Sequence, residues 1–267
     1  MVLSPRLGGY DNLILDLDGC VYVGDEPTPG AVEAIDELRA AGKGVAFVTN
    51  NPRHSGEDYV RRLWRMGIRA SLADVVTVGG ATQHLLAETR PGRTAFVIGT
   101  EAMRKHVRDA GLRVLNGSDT ASRAEVVVLG GTEDLVYDDL KQASLAVRAG
   151  ADFVAAGRDS TYPTQQGLWP GTGAILAAVE CASGRNATIV GKPEPRLFET
   201  AIDRLGPGRT LVVGDRLDAD VAAAARLRLD AALVLTGATD AEEAAAAEDP
   251  APALVAASLA ALVRGAG

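Results

Sequence analysis

No stretch of about 18 apolar residues occurs anywhere in the 267-residue chain, which argues against a membrane-spanning helix. The start does not read as an export signal, because Met1 to Asp11 has no basic segment followed by an apolar one. Cysteine is scarce. Cys20 and Cys181 stand far apart and outside any Cys-x-x-Cys pair, so neither a disulfide framework nor a zinc site is expected. The three histidines, His54, His84 and His106, have no metal-ligand spacing. Positive charge is in deficit: 27 Lys and Arg against 35 Asp and Glu give a net charge of −8. Such a surface repels polyanions, so no nucleic-acid or anionic-membrane partner is expected. A small anion can still bind where one pocket opposes the global sign. These absences together describe a reduced, cytoplasmic protein. No repeat of fixed period is visible. No G-x-G-x-x-G follows a strand, and Gly184 to Lys192 is no phosphate-binding P-loop, since the spacing is wrong and Pro193 stands in place of Ser or Thr.

What remains is an ordinary globular composition, 47% apolar and 23% charged, with length for one large domain or two modest ones. Short apolar runs alternate with helical patterns. Leu13 to Leu17, Val45 to Val48, Ile189-Val190, Leu211 to Val213 and Leu233 to Leu235 read as buried strands. Val32, Ile35 and Leu38 predict a helix stopped by Gly42. A second helix is expected from about Gly56, with Val60, Leu63 and Trp64 on one face. A third carries Leu197, Phe198, Ala201, Ile202 and Leu205 and closes at Gly206. Strand and helix alternating in this way imply a parallel sheet covered on both faces.

The stretch between Asn51 and Lys192 is too long for one crossover, which uses roughly 30 to 40 residues; about 100 are left over, enough for an inserted domain. Within it, strands are expected at Ala95 to Ile98, Val126 to Leu129 and Asp152 to Ala155, and helices near 80–88, 100–110, 137–149 and 173–183. The expected division is a catalytic core of 1–78 and 184–267 with an inserted α/β domain at 79–183. Asp240 to Pro250 reads as a solvated helix ended by the proline.

Ligands of open parallel sheets bind beyond the carboxyl ends of the strands. The first strand ends in Asp16-Leu17-Asp18-Gly19 and the second in Thr49-Asn50-Asn51. The third runs into Gly191-Lys192-Pro193, and the fourth ends in Gly214-Asp215 with Asp218 and Asp220 following. Carboxylates gathered at one edge repel each other unless a cation joins them, and hard oxygen ligands suit Mg²⁺. Lys192 and the Thr49 and Asn donors would then face an anion that the metal also touches, and a phosphate fits. Singly, each residue has a plainer reading: a strand-end Asp or Thr often caps a turn or helix, and a lysine is usually exposed. Residues i and i+2 of a strand point the same way, so Asp16 and Asp18 can reach one site.

Asp16-Leu17-Asp18-Gly19, Thr49, Lys192-Pro193, and Gly214-Asp215 with Asp220 resemble the four motifs of the haloacid dehalogenase-like superfamily. The large insert after the second motif resembles the NagD-type phosphatases. Thr49-Asn50-Asn51, Pro170-Gly171-Thr172-Gly173 and Gly214 to Asp218 are similar to the phosphoglycolate, glycerol-3-phosphate and 4-nitrophenyl phosphate phosphatases of that group. The resemblance runs from about residue 10 to 237. It implies an α/β protein with a three-layer Rossmann-like core and a large inserted α/β cap. It implies Mg²⁺-dependent hydrolysis of a small phosphomonoester through an aspartyl-phosphate.

In that scheme Asp16 is the nucleophile and Asp18 the general acid and later base. Thr49, Asn50, Asn51 and Lys192 bind the phosphoryl group. The metal is held by Asp16, the Asp18 carbonyl and Asp215, supported by Asp220. The partner is a small phosphorylated metabolite, and the resemblance leaves room for a homodimer formed through the cap. A sugar or nucleotide monophosphate substrate, a phosphomutase and a non-enzymatic phosphoester-binding protein stay open, whereas Asp18 and Asp215 together speak against a metal-free carbon–halogen hydrolase. Two positions depart from the pattern: Cys20 replaces the usual Thr or Val, and Arg228 stands where relatives tend to have Gly. The segment Arg158 to Thr164 is the expected lip of the cap.

Overall fold

The computed structural model describes residues 3–164 and 166–265; Met1, Val2, Gln165 and the last two residues lie outside the described part, as do the side chains of Pro163 and Thr164. Two compact units emerge. The first gathers Met1–Thr49, Gly56–Val76 and Lys192–Gly267, the second Asn50–Ser55 and Thr77–Gly191.

The first unit is built on a six-stranded sheet. Its strands run in the order Leu254–Ala256, Asp230–Val234, Thr210–Gly214, Asn12–Asp16, Gly44–Thr49 and Val75–Thr77. Pairing is parallel from Leu254–Ala256 across to Gly44–Thr49, with Leu15 opposite Val213 on one side and Phe47 on the other. The central strand is buried throughout, and apolar from Leu13 to Leu15, because both its faces are covered. Leu13, Leu15, Val45, Phe47, Leu211 and Val213 enter one apolar cluster with Ile35, Leu38, Tyr59 and Leu63. Ile14, Ala46, Val48 and Val212 point the other way and are equally enclosed. Burying a side chain of this size contributes about 1.5–3 kcal/mol.

Helix Gly56–Arg65 differs from expectation in its buried face. Tyr59 and Leu63 are the enclosed pair, one turn apart. Trp64 is 57% exposed and donates its indole N–H to the Ala70 carbonyl at 2.7 Å. The tail helix, Ala241–Ala246, is capped by Asp240 in a box with Glu243 and stops well before Pro250. Arg228, just after helix Ala222–Arg226, holds a left-handed backbone at φ 57°, a conformation that glycine adopts without strain.

The second unit has its own five-stranded parallel sheet, in the order Thr188–Ile189, Asp152–Ala155, Val126–Gly131, Thr94–Gly99 and Arg113–Val114. Helices Tyr137–Arg148 and Thr172–Ser183 bury Ala143, Ala146, Val147, Leu176 and Val179 with Val127, Leu129 and Phe153. An antiparallel hairpin, Thr161–Thr164 with Gly167–Pro170, completes it. One strand therefore sits elsewhere than expected. The Ile189 strand pairs with Asp152–Ala155 in this sheet and not with the sheet that carries Asp16. Two apolar residues are too few to specify a sheet.

Candidate active site

Asp16 is the last residue of the central strand, Thr49 the last of its neighbour, and Asp215 follows Thr210–Gly214 on the other side. Parallel strands bring these three ends to one edge. Asp220 arrives by a different route. The chain after Asp215 forms a five-residue π-helical turn, Leu217–Val221, in which the Arg216 carbonyl accepts from both Asp220 N–H and Val221 N–H. Such turns are frequent at functional sites. This one buries Asp220, while Asp218 stays at the surface paired with Arg216 at 2.9 Å.

The carboxylates of Asp16, Asp215 and Asp220 offer oxygens that all lie within 4.8 Å of one another, and all three are buried. Lys192 is buried among them, with its Nζ on Asp16 Oδ1 and 2.7 Å from Asp220 Oδ1. One ammonium against three carboxylates leaves the cluster short of positive charge. The consequence appears in the ionisation. Burial lifts Asp16 well above the usual carboxylate range, opposed by Lys192 and reinforced by Asp220 and Asp215. Burial and Asp220 likewise push Asp215 up to about 7. Burial opposes the charge of Lys192, but Asp16 and Asp220 outweigh it and hold the ammonium above its ordinary value. A divalent cation ligated by oxygen is what this donor set accommodates.

Two glycines make the crowding sterically possible. A Cβ on Gly19, whose φ is +90°, would meet Asp215 Oδ2 at 2.4 Å, and one on Gly237 would meet the same atom at 1.9 Å. The Gly237 turn also supplies Ala238 N–H, which donates to Asp215 Oδ2 at 2.6 Å. That turn follows a strand end at the same edge, and the Thr236-Gly237 dipeptide is its sequence signal. Strand-end reasoning stopped at Leu235 and missed it.

Asp18 is half-buried. Its Oδ2 lies 3.5 Å from the Tyr22 hydroxyl and 3.5 Å from Thr49 Oγ1. Thr49 in turn hydrogen-bonds Tyr59, whose hydroxyl burial holds well above its ordinary pKa. Tyr22 is raised in the same way, by burial first and then by Asp18. Neither tyrosine was legible as a site residue, because a buried aromatic beside apolar neighbours reads as core. Cys20 is enclosed, with Sγ 3.9 Å from the Val213 carbonyl. Burial and the charges of Asp16, Asp215 and Asp220 push its thiol well up, so it stays protonated.

Asn50 and Asn51 belong to the second unit. Asn50 Nδ2 donates to Asp159 Oδ2 at 3.3 Å, and Asn51 Oδ1 accepts from Arg53 N–H at 3.2 Å. Of the expected lip, Arg158 is held in a two-pronged pair with Glu180 at 2.9 and 2.8 Å, and Tyr162 donates to Glu133 at 2.8 Å. The Pro163 and Thr164 side chains fall outside the description. Among the described residues, no helix is long and apolar enough to cross a membrane.

Comparison with known proteins places this geometry. The family model for haloacid dehalogenase-like hydrolases matches residues 13–113, and a second HAD-hydrolase-like model matches 189–262. The D-glycerol 3-phosphate phosphatase of Mycobacterium tuberculosis is 40% identical over 240 residues, covering 90% of this chain and 67% of that protein. A crystal structure of glycerol phosphate phosphatase from the same organism, in complex with magnesium, superposes with a TM-score of 0.87 at 39% identity. That match covers 96% of this chain and 77% of the other. A p-nitrophenyl phosphatase from Archaeoglobus fulgidus gives 0.85 at 30% identity, over 94% and 97% of the two chains.

Proposed function

The chain belongs to the haloacid dehalogenase-like hydrolases, and from that premise we propose how its own residues carry out the reaction. It is a Mg²⁺-dependent phosphatase acting on a small phosphomonoester. Glycerol 3-phosphate is the substrate proposed first, because the relative sharing 40% of its sequence is named for that ester. The observation that carries the reading is the buried group of Asp16, Asp215 and Asp220 around Lys192 at the ends of parallel strands.

Asp16 attacks phosphorus. A bond forms between its carboxylate oxygen and phosphorus as the bond to the leaving oxygen breaks, giving an aspartyl-phosphate. Asp18 passes its proton to the departing alkoxide, which would otherwise leave as a strong base. Asp18 then takes a proton from water as the water oxygen attacks phosphorus, and Asp16 is released with inorganic phosphate. Lys192 balances charge on the phosphoryl oxygens and orients Asp16, and Thr49 donates to a phosphoryl oxygen. The N–H groups of Asn50 and Asn51, following directly in the chain, are proposed to do likewise. Asp16, Asp215, Asp220 and the Asp18 carbonyl would hold Mg²⁺, which keeps Asp16 ionised and offsets its repulsion from the incoming phosphate.

Every group in this set recognises phosphate or metal and none recognises an alcohol. Residues 79–183, inserted between core segments 1–78 and 184–267, are therefore proposed as the cap that selects the substrate; support comes from the separate sheet and apolar core that most of this stretch forms, in a unit that runs on to Gly191. Two unpaired thiols fit a reduced cytoplasmic setting. Exposed Tyr137 and Leu168 support a homodimer formed through the cap.

The test is phosphate release from glycerol 3-phosphate and 4-nitrophenyl phosphate, each with Mg²⁺ and with EDTA. Turnover with metal and none with chelator is expected. Undiminished activity in EDTA would contradict the metal-assisted mechanism, and phosphate shifted within the substrate without release would indicate a mutase.

A further inference from the structure

Two tyrosines beside Asp18 have no part in the mechanism just described. Tyr22 and Tyr59 are completely enclosed, yet each directs its hydroxyl to the catalytic edge. Tyr22 reaches Asp18 Oδ2 at 3.5 Å. Thr49 Oγ1 stands 3.5 Å from the same oxygen, and Tyr59 hydrogen-bonds the Thr49 side chain. Helix Gly56–Arg65 braces both. It carries Tyr59 and, three residues on, Arg62, whose guanidinium carbon sits 4.4 Å from the Tyr22 ring centroid. Positions i and i+3 share a helix face, so one helix sets both tyrosines.

We propose that Tyr22 and Tyr59 are positioning residues that hold the Asp18 carboxyl for proton transfer to the leaving oxygen, Tyr22 directly and Tyr59 through Thr49. The inference rests on the reading of Asp18 as general acid. The Tyr22 hydroxyl donating to Oδ2 makes that oxygen an acceptor and assigns the transferable proton to Oδ1. It also limits rotation of the carboxyl. Tyr59 fixes the Thr49 side chain beside the same oxygen. The tyrosines exchange no proton themselves: one passes from Asp18 to the leaving oxygen as the phosphorus–oxygen bond breaks. Contacts of 3.5 Å are long, as catalytic hydrogen bonds commonly are before substrate tightens them.

Tyr22→Phe and Tyr59→Phe each remove one oxygen and keep the ring. The experiment measures single-turnover phosphoenzyme formation with glycerol 3-phosphate and with 4-nitrophenyl phosphate, in the parent and in an Asp18→Asn background. A nitrophenolate leaves without a proton, whereas an alkoxide needs one, so the two esters separate positioning of the acid from general damage. Tyr22→Phe should slow the glycerol ester roughly tenfold and the nitrophenyl ester less than about twofold, since a mispositioned acid forfeits part of a 10²–10⁴-fold contribution. Tyr59→Phe should show the same bias more weakly. Neither change should slow the Asp18→Asn enzyme further. Equal slowing of both esters, no slowing of the glycerol ester, or an undiminished effect in the Asp18→Asn background overturns the proposal. Equal slowing of both esters by Asp18→Asn alone removes the acid reading and the proposal with it, an outcome visible in that variant separately.

Discussion

Replacing Lys192 by Met should destabilise the metal-free protein more at pH 8 than at pH 5. Lys192 is buried and touches two carboxylates, Asp16 and Asp220, with Asp215 in the same group. Methionine fills similar space but leaves buried negative charge unopposed, and removing one partner of a buried pair costs about 3–5 kcal/mol. For a protein of this size that corresponds to a melting temperature lower by roughly 6–20 °C. The pH dependence follows from the raised carboxylates. Asp16 is held well above its ordinary value and Asp215 at about 7. Above about 7 Asp215 is ionised and the ammonium has more to offset. Below it a bound proton relieves part of the repulsion, and the deficit shrinks. Mg²⁺ at about 100 times its dissociation constant should return about 2.7 kcal/mol to either protein. The assay is thermal unfolding in EDTA and in Mg²⁺ at both pH values. A variant that melts within about 2 °C of the parent at pH 8 in EDTA would show that the carboxylate cluster is not under the repulsion described.

Metal affinity should itself depend on pH. A proton on Asp215 competes with the cation, so the Mg²⁺ concentration for half activity should rise as pH falls below about 7, approaching tenfold per unit for one competing proton; a flat dependence between pH 5 and 7 would exclude Asp215 as a ligand. Cys20→Val should keep activity within about twofold, since the side chains are close in size and the enclosed thiol stays protonated; peroxide inactivation that disappears in this variant would instead assign the thiol a redox role. Arg228→Gly should stabilise the protein by about 0.5–1 kcal/mol in urea unfolding, by relieving the left-handed backbone at φ 57° against the greater freedom of an unfolded glycine.

Much of the site was legible because parallel strands deliver residues to a common edge. Asp16, Thr49 and Asp215 each end or follow a strand whose apolar run is unambiguous. Lys192 reaches the carboxylates by another architectural route than the sequence suggests, since the strand before it lies in the other sheet. Asp220 could be named from motif resemblance alone, because nothing in Leu217–Val221 announces a π turn. The Trp64 misplacement has a simple origin: at helical spacing, Val60-Leu63-Trp64 and Tyr59-Leu63 are rival faces, and only packing decides between them. Tyr22 and Tyr59 stayed hidden for the same reason, since the polar end of a tyrosine becomes informative only when its neighbour in space is known.

The central claim, that Asp16 carries the phosphoryl group, is tested most directly by trapping. Enzyme mixed with Mg²⁺ and 4-nitrophenyl phosphate is quenched in acid within milliseconds, reduced with borohydride and digested. A phosphorylated carboxyl is reduced to an alcohol under these conditions, whereas a free carboxylate is not. The account predicts reduction at position 16, dependent on Mg²⁺ and on substrate, and no trapped species in Asp16→Asn. Reduction at another residue, or turnover by Asp16→Asn above about one part in a hundred of the parent rate, would contradict it.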